Sequence, residues 1–205
     1  MSHSHTHSHG HGHSHSHSHA LDRNPIEWDD EIAATYADKF GDWPTQGLVV
    51  DRLQLSEGAV VVDVGCGTGA TLARVLERCP TARCVGIDHM DEMVRRARVT
   101  LGERAELHTA NASALPLEDA SADVVLFVNT LHHIDPKAAM REAARVVKPG
   151  GVVVVATDER IYEMANWSNG RVRDELSRAR LRGVRQTSAH EGDVVANILT
   201  GSRRT

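Results

Sequence analysis

Short apolar runs recur through the middle of the chain, separated by longer segments whose apolar residues have helical spacing. Five such runs predict buried strands, at residues 60–64, 83–88, 105–110, 123–128 and 152–156. The segments between them predict helices, including one at residues 71–79 and one that Asp135 caps and Pro136 begins. Because strands alternate with helices, the pattern predicts an α/β fold with a parallel, doubly wound sheet.

The turn after the first strand carries the clearest chemical signal. Asp63 lies at the end of that strand, and Gly65, Gly67 and Gly69 follow at alternate positions. Glycines let the backbone approach a ligand closely, and the free N–H groups of the next helix favour polar ligand groups. With Ala70, the turn also fits the looser dinucleotide fingerprint, so the glycines alone leave a nicotinamide cofactor open.

Asp63 favours a different cofactor. A buried carboxylate is costly unless it meets backbone donors or a cation, and nicotinamide enzymes usually have an apolar residue at this position. A ligand that carries a sulfonium and an ammonium group would stabilise it. The segment from Asp63 to Gly69 resembles motif I of the class I S-adenosylmethionine-dependent methyltransferases.

The resemblance continues at later strand ends and implies a site for S-adenosylmethionine. Asp88 would hold the ribose hydroxyls, Asn111 would accept from the adenine amino group, and Tyr36 would meet the methionine carboxylate. Carboxyl ends of parallel strands share one edge of a sheet, so these residues are expected to meet there. The implied cofactor-binding residues are Tyr36, Asp63, Gly65, Cys66, Gly67, Gly69, Asp88, His89, Met90, Asn111, Ala112 and Asn129.

The resemblance also implies the rest of the architecture. After a helix predicted at residues 171–182, weak strands at residues 184–189 and 193–199 fit the antiparallel hairpin that the family adds. The expected fold is a Rossmann-like, seven-stranded, mostly parallel sheet with a C-terminal antiparallel hairpin. Residues 21–205 supply one methyltransferase domain, preceded by a histidine-rich tail at residues 1–20.

His132 and His133 are the candidate catalytic residues. The segment from Asn129 to Asp135 resembles a stretch of small-molecule methyltransferases similar to those of quinone biosynthesis. A hydroxyl or acidic-carbon acceptor must lose a proton, and imidazole titrates in the useful range, so His133 is the predicted base. The alternative is that either histidine caps or packs the following helix.

Aromatic residues flank the predicted sheet and suggest a cover over the cofactor. Two segments carry them, before the first strand and after the fifth: Trp28, Tyr36, Phe40, Trp43, Tyr162 and Trp167. A lid built from both segments would enclose a small, partly apolar or planar acceptor. Equally open is an interpretation in which these rings dock helices onto the sheet.

Composition limits the kinds of molecule that the protein is expected to bind. The formal net charge of -5 argues against a phosphate-backbone partner, and the Asn/Asp-Pro-Pro-aromatic sequence of many macromolecule methyltransferases is absent after the fourth strand. A small-molecule acceptor is therefore expected, with no nucleic acid partner. No apolar run reaches membrane-spanning length, and three cysteines without a C-x-x-C pair suit a cytoplasmic location.

The N-terminal tail has a separate chemistry. Histidine occupies every odd position of one segment: His3, His5, His7, His9, His11, His13, His15, His17 and His19. Such a segment cannot bury a core, and neutral imidazoles at this density bind Zn, Ni, Co or Cu. A native metal-binding arm and an engineered tag are both open, and no well-formed catalytic metal site is expected.

Two other functions stay open. An NAD-dependent oxidoreductase would share the glycine turn, although Asn166 stands where the short-chain class has the lysine after Tyr162. The second possibility is a non-enzymatic metal-binding protein with a vestigial cofactor fold, which only the histidine-rich tail supports.

Overall fold

The computed structural model of the protein describes residues 29–165 and 167–205, leaving the histidine-rich tail, Trp28 and Asn166 outside. Within them, the strands are β1 (Val60–Val64), β2 (Arg83–Asp88), β3 (Ala105–Thr109), β4 (Ala122–Val128), β5 (Val147–Asp158), β6 (Arg182–Glu191) and β7 (Val194–Ser202). The α-helices are α1 (Asp30–Phe40), α2 (Pro44–Val50), α3 (Ala70–Arg78), α4 (Asp91–Leu101), α5 (Pro136–Val146), α6 (Glu159–Ala165) and α7 (Asn169–Arg178).

The strands form one sheet in the order β3-β2-β1-β4-β5-β7-β6. The first five run parallel, β7 is antiparallel to β5, and β6 is antiparallel to β7. The predicted seven-stranded, mostly parallel sheet with a C-terminal hairpin is confirmed. The chain leaves β1 towards β2 on one side and later returns to β4 on the other, so a crevice forms above the carboxyl ends of these strands.

Both faces of the sheet are covered by helices. Val61 belongs to the apolar cluster that contains α2 and α3, whereas its neighbour Val62 belongs to the cluster that contains α5 and α7. Successive strand residues point to opposite faces, so two buried faces require the uninterrupted apolar runs seen in the sequence. Polar side chains are thereby confined largely to the strand ends.

Helix boundaries follow local capping. Asp135 accepts a hydrogen bond from the Lys137 N–H at 3.0 Å, and Pro136 begins α5, as predicted. Ser168 accepts from the Arg171 N–H, so the predicted helix at residues 171–182 instead spans α7, Asn169–Arg178. Within the described residues, no helix has the length and apolar character needed to span a membrane.

The fifth strand is longer than predicted. The strand predicted at residues 152–156 begins at Val147, five residues earlier, and extends two residues beyond Ala156 to Asp158. Val147 pairs with Ala122, and pairing resumes with Val152 opposite Val124, so the intervening residues form an irregularity at the strand's start. The extension at its other end brings Asp158 to the carboxyl edge of the sheet.

Candidate functional site

A cavity of about 720 Å³ opens above the carboxyl ends of β1, β2, β4 and β5, and α1 forms part of its wall. Its lining contains every predicted cofactor-binding residue except Asp63 and Gly69, and it contains His133 but not His132. The cavity therefore brings together residues from the glycine turn, three strand ends and the N-terminal helix. The sequence places these residues far apart.

The glycine turn is held tightly against the neighbouring strands. The N–H of Gly65 donates to the Ile87 carbonyl at 2.7 Å, and a Cβ at Gly65 would lie 2.5 Å from Thr130 Oγ1. Both this crowding and a φ of +75° require glycine at that position. Gly67, in contrast, faces open space, since an added Cβ would meet nothing within 4 Å. The turn thus leaves a cradle beside Gly67.

Gly69 serves packing rather than the cavity. It has a φ of +82° at the N-cap of α3, and an added Cβ would lie 2.8 Å from Leu101 Cδ1. Its predicted contact with the cofactor remains a prediction, while its role in packing α3 against α4 is visible in the structure.

Asp88 is fixed by two backbone donors. Its carboxylate accepts from the Gly67 N–H and the Met90 N–H, both at 3.0 Å, and His89 Nδ1 lies 3.6 Å away. The side chain ends β2 and lines the cavity. A carboxylate held in this way is a preorganised acceptor for ligand hydroxyl groups.

Asp63 is buried beneath the cavity wall, with only 1% of its surface exposed. Burial raises its pKa to about 7; a hydrogen bond with Thr71 lowers it, and the charge of Asp88 raises it further. Oδ1 has no hydrogen-bond partner among the described residues. An ionised carboxylate with an unsatisfied oxygen needs a cation or donor, although the structure does not place Asp63 on the cavity surface.

Asn111 and Asn129 both line the cavity, but their side-chain oxygens are engaged within the protein. Asn111 Oδ1 accepts from the Ser113 N–H at 2.9 Å and from Ser113 Oγ at 2.8 Å. An amide oxygen has two lone pairs, so the predicted bond from adenine would have to displace one donor. Asn129, at a φ of +52°, accepts from the Asp158 N–H at 2.9 Å and joins the ends of β4 and β5.

The two histidines differ in position. Their rings are 3.8 Å apart, and Tyr36 meets the His133 ring edge-on at 6.1 Å. Burial lowers the pKa of His132 to about 3 with help from His133, and burial with the charge of His89 lowers that of His133 to about 4. Both rings are neutral at pH 7. Asp135 caps α5, so helix capping is not the role of either histidine.

Some of the aromatic residues fit a lid over the cofactor, and others fit the docking of helices onto the sheet. Tyr36 and Trp43 line the cavity, whereas Tyr162 and Trp167 pack in the apolar cluster around α5 and α7. Docking therefore accounts for the two rings after β5. Trp28 lies outside the described residues, and the structure does not describe the Phe40 side chain.

Sequence reasoning missed a polar cluster at the end of β5. Asp158 accepts from Trp43 Nε1 at 2.8 Å and from Arg160 Nη2 at 2.7 Å, and all three residues line the cavity. A signal was present, because Asp158 closes an apolar run as Asp63 and Asp88 do. The strand predicted at residues 152–156 stops short of Asp158, so the pattern alone does not bring this residue to the edge of the sheet.

Comparison with known proteins agrees with this geometry. Residues 62–155 match the family described as a methyltransferase domain. Trans-aconitate 2-methyltransferase of Azoarcus sp. (strain BH72) is 36% identical over 136 residues, which are 62% of this chain and 49% of that protein. The chain therefore matches about half the length of this relative.

Two solved structures share the fold. An S-adenosylmethionine-dependent methyltransferase from Aquifex aeolicus has a TM-score of 0.70 at 22% identity, covering 86% of this chain and 100% of that one. A Haemonchus contortus phosphoethanolamine N-methyltransferase 2, solved with S-adenosyl-L-methionine, has a TM-score of 0.69 at 14% identity, covering 90% and 59%.

The sheet order, the glycine turn and the match of residues 62–155 to a methyltransferase domain all agree with a class I S-adenosylmethionine-dependent methyltransferase. The residues present fit that cofactor, because the cavity offers an open cradle beside Gly67 and, at Asp88, a carboxylate already oriented to accept from ligand hydroxyl groups. The more specific resemblance to the quinone-biosynthesis type stays a prediction.

Asp63 gives a prediction about stability and pH. Its pKa is raised in the folded state, so the folded protein favours the protonated form, and stability is lost as pH rises from about 4 to 7. We expect Asp63→Asn to raise the free energy of unfolding at pH 8.5 by roughly 2–4 kcal/mol, and by less at pH 5. Denaturant unfolding of the cofactor-free protein at both pH values measures this difference.

Asp123 supplies a matched control of opposite sign. Although burial raises its pKa, hydrogen bonds from Lys148 and the Val60 N–H hold the pKa below its ordinary value. Asp123→Asn should therefore destabilise the protein at pH 8.5, and this loss should shrink as pH falls. If Asp63→Asn changes the free energy of unfolding by the same amount at both pH values, the raised pKa assigned to Asp63 is contradicted.

Proposed function

We propose that the protein transfers a methyl group from S-adenosylmethionine to a small-molecule acceptor. The observation that carries this proposal is the shared cavity, in which the Gly67 cradle, the fixed carboxylate of Asp88 and the Asn129 strand end meet above one edge of the sheet. When bound, the cofactor supplies an electrophilic methyl group on a sulfonium.

The chain's own residues would position that cofactor. Asp88 accepts from the ribose hydroxyls with its carboxylate already oriented by the Gly67 and Met90 N–H groups. The Tyr36 hydroxyl donates to the methionine carboxylate, and it stays protonated because burial and the Asp88 charge raise its pKa. His89, Met90, Cys66 and Ala112 complete the surrounding wall. Asp63 compensates the ammonium charge from beneath the turn.

Alignment and exclusion of water would supply much of the rate, because methyl transfer is an in-line displacement. The cavity is large enough to hold the cofactor together with a small acceptor. A curated relative is named for methylation of trans-aconitate, a small molecule, which supports the same acceptor class here. The net charge of -5 disfavours nucleic acid.

His133 is the residue we propose as proton acceptor. It lines the cavity beside Tyr36, whereas His132 lies outside the lining. A pKa of about 4 keeps His133 unprotonated at neutral pH and therefore able to accept, although its basicity is modest. His132 is the residue against which the His133 ring packs, which gives it a positioning role.

The remaining assignments concern the ends of the chain. We propose that residues 21–205 form the methyltransferase domain and that the tail at residues 1–20 binds Zn, Ni, Co or Cu through alternating imidazoles. The described cysteines are free thiols, which supports a reducing, cytoplasmic location.

Nothing in the comparisons favours an oxidoreductase, but Asp88 would also suit the ribose of NAD. The two cofactors must therefore be compared directly.

Cofactor binding tests the proposed function. Calorimetric titration should show binding of S-adenosylmethionine and none of NAD, and Asp88→Asn should weaken binding by at least about tenfold because charge-assisted hydrogen bonds to the ribose are lost. Asp91→Asn is the control, since Asp91 is exposed in the first turn of α4 and does not line the cavity. Binding of NAD with no heat from S-adenosylmethionine would refute the proposal.

His133 has its own kinetic test. With an acceptor found in a metabolite panel, His133→Gln should lower turnover at saturating substrates by about 100-fold or more, as expected for loss of a general base. His108→Gln is the control, because His108 pairs with Glu106 on β3, away from the cavity. The turnover of the parent protein, measured as a function of pH, should show no decrease between pH 6 and 8 that comes from protonation of His133. Undiminished turnover in His133→Gln would remove this residue from the mechanism.

Deletion of residues 2–19 tests the tail. Equilibrium dialysis should show that the full chain binds Zn or Ni and that the shortened chain loses most of this binding, because the alternating histidines are absent. Methyl transfer without added metal should be the same in both proteins. Equal metal binding by the two proteins would contradict the proposal, and unchanged metal tolerance in cells would exclude a cellular role.

A further inference from the structure

The end of β5 carries a charged cluster that the proposed cofactor site does not use. Asp158 is buried, and its carboxylate accepts from Arg160 Nε at 3.1 Å and from Arg160 Nη2 at 2.7 Å. Trp43 Nε1 donates to the same carboxylate at 2.8 Å. Because Trp43 lies between α1 and α2, this cluster also joins the N-terminal segment to the sheet.

The hydrogen bonds of the Arg160 guanidinium lie along one edge only, although the charge of Asp193 also helps to raise its pKa. Nε and Nη2 face Asp158, while nothing in residues 29–165 and 167–205 accepts a hydrogen bond from Nη1. The Arg160 side chain is 48% exposed, lines the cavity, and lies 5.0 Å over the Trp43 ring. A guanidinium presents parallel N–H pairs along more than one edge, so the remaining edge fits a second carboxylate.

Asp158 fixes this arrangement. Burial raises its pKa, but hydrogen bonds from Arg160 and Trp43 outweigh that effect and hold the pKa below its ordinary value. The carboxylate therefore stays ionised and keeps the guanidinium in place. Its charge is compensated by the same contacts, which reduces its repulsion of an incoming anion.

The cluster lies at the β5 end of the cavity, away from Asp88 at the end of β2. β5 is next to β4 and away from β2, and the proposed cofactor residues lie at the ends of β2, β1 and β4. Asp158 nevertheless stays close to that site, because its N–H donates to Asn129 Oδ1 at 2.9 Å. A group bound by Arg160 would thus be next to the cofactor without overlapping it.

Apolar side chains surround the cluster on α6. Ile161 and Met164 line the same cavity as Arg160, and the Met164 side chain is largely exposed. We propose that Arg160 binds a carboxylate of the methyl acceptor, whose apolar part lies against Trp43, Ile161 and Met164. This inference rests on the proposed methyltransferase function and specifies its substrate as an apolar carboxylic acid.

The experiment compares acids with their primary amides. Each of several apolar carboxylates, including 3-phenylpropanoate, is titrated with its amide into the full chain saturated with S-adenosylhomocysteine, and binding is followed by ligand-observed NMR. The parent protein should bind at least one acid at least about tenfold more tightly than its amide, because only the acid pairs with the guanidinium. Arg160→Gln should abolish this preference, and Arg160→Lys should retain only part of it.

Arg171→Gln is the matched control. Arg171 also lies over a tryptophan, 4.4 Å from the centroid of a Trp167 ring, but neither residue lines the cavity. This variant should keep the full preference for the acid. The affinity of Arg160→Gln for S-adenosylhomocysteine should remain within about twofold of the parent value, since Arg160 is not a cofactor residue.

Two results would overturn the inference. One is a parent protein that binds no acid more tightly than its amide, which needs no variant and so does not depend on how Arg160→Gln folds. The other is an acid preference that survives in Arg160→Gln. If the proposed methyltransferase function itself were wrong, the result would differ, because neither S-adenosylmethionine nor S-adenosylhomocysteine would then give heat in the binding titration.

Discussion

Burial of both faces of the parallel sheet is the constraint from which the site follows. Side chains along β1, β2, β4 and β5 are enclosed by helices, so charged groups can be accommodated only where these strands end. Three of them end in or near an aspartate: Asp63, Asp88 and Asp158. The sheet therefore concentrates negative charge at one edge, where each carboxylate must be compensated.

The three carboxylates are compensated in different ways, and the differences separate their roles. Asp88 accepts from two backbone N–H groups and still faces the cavity, which suits a ligand with hydroxyl donors. Asp158 is paired with a guanidinium and an indole, so it orients other side chains. Asp63 retains an unsatisfied oxygen, and the energetic cost of that oxygen falls when a cation binds nearby.

Much of this arrangement could be predicted from local sequence. The apolar runs located the central strands, and Asp88 was recognisable because it closes such a run after the glycine turn. The turn itself was predictable because the crowded, left-handed position at Gly65 admits no side chain. Other features were not, since the extra length of β5 depends on pairing with β4 and β7, and not on its own composition.

The alternation of strands and helices, the chemistry of the glycine turn and the residue types at the strand ends can be predicted from local sequence, because they depend on near neighbours. The set of side chains that share the cavity, in contrast, depends on tertiary packing. That packing placed His133 on the wall and His132 outside the lining, and it brought Trp43 to Asp158 across 115 positions of the chain. Such contacts depend on the packing of distant segments, which no local pattern specifies.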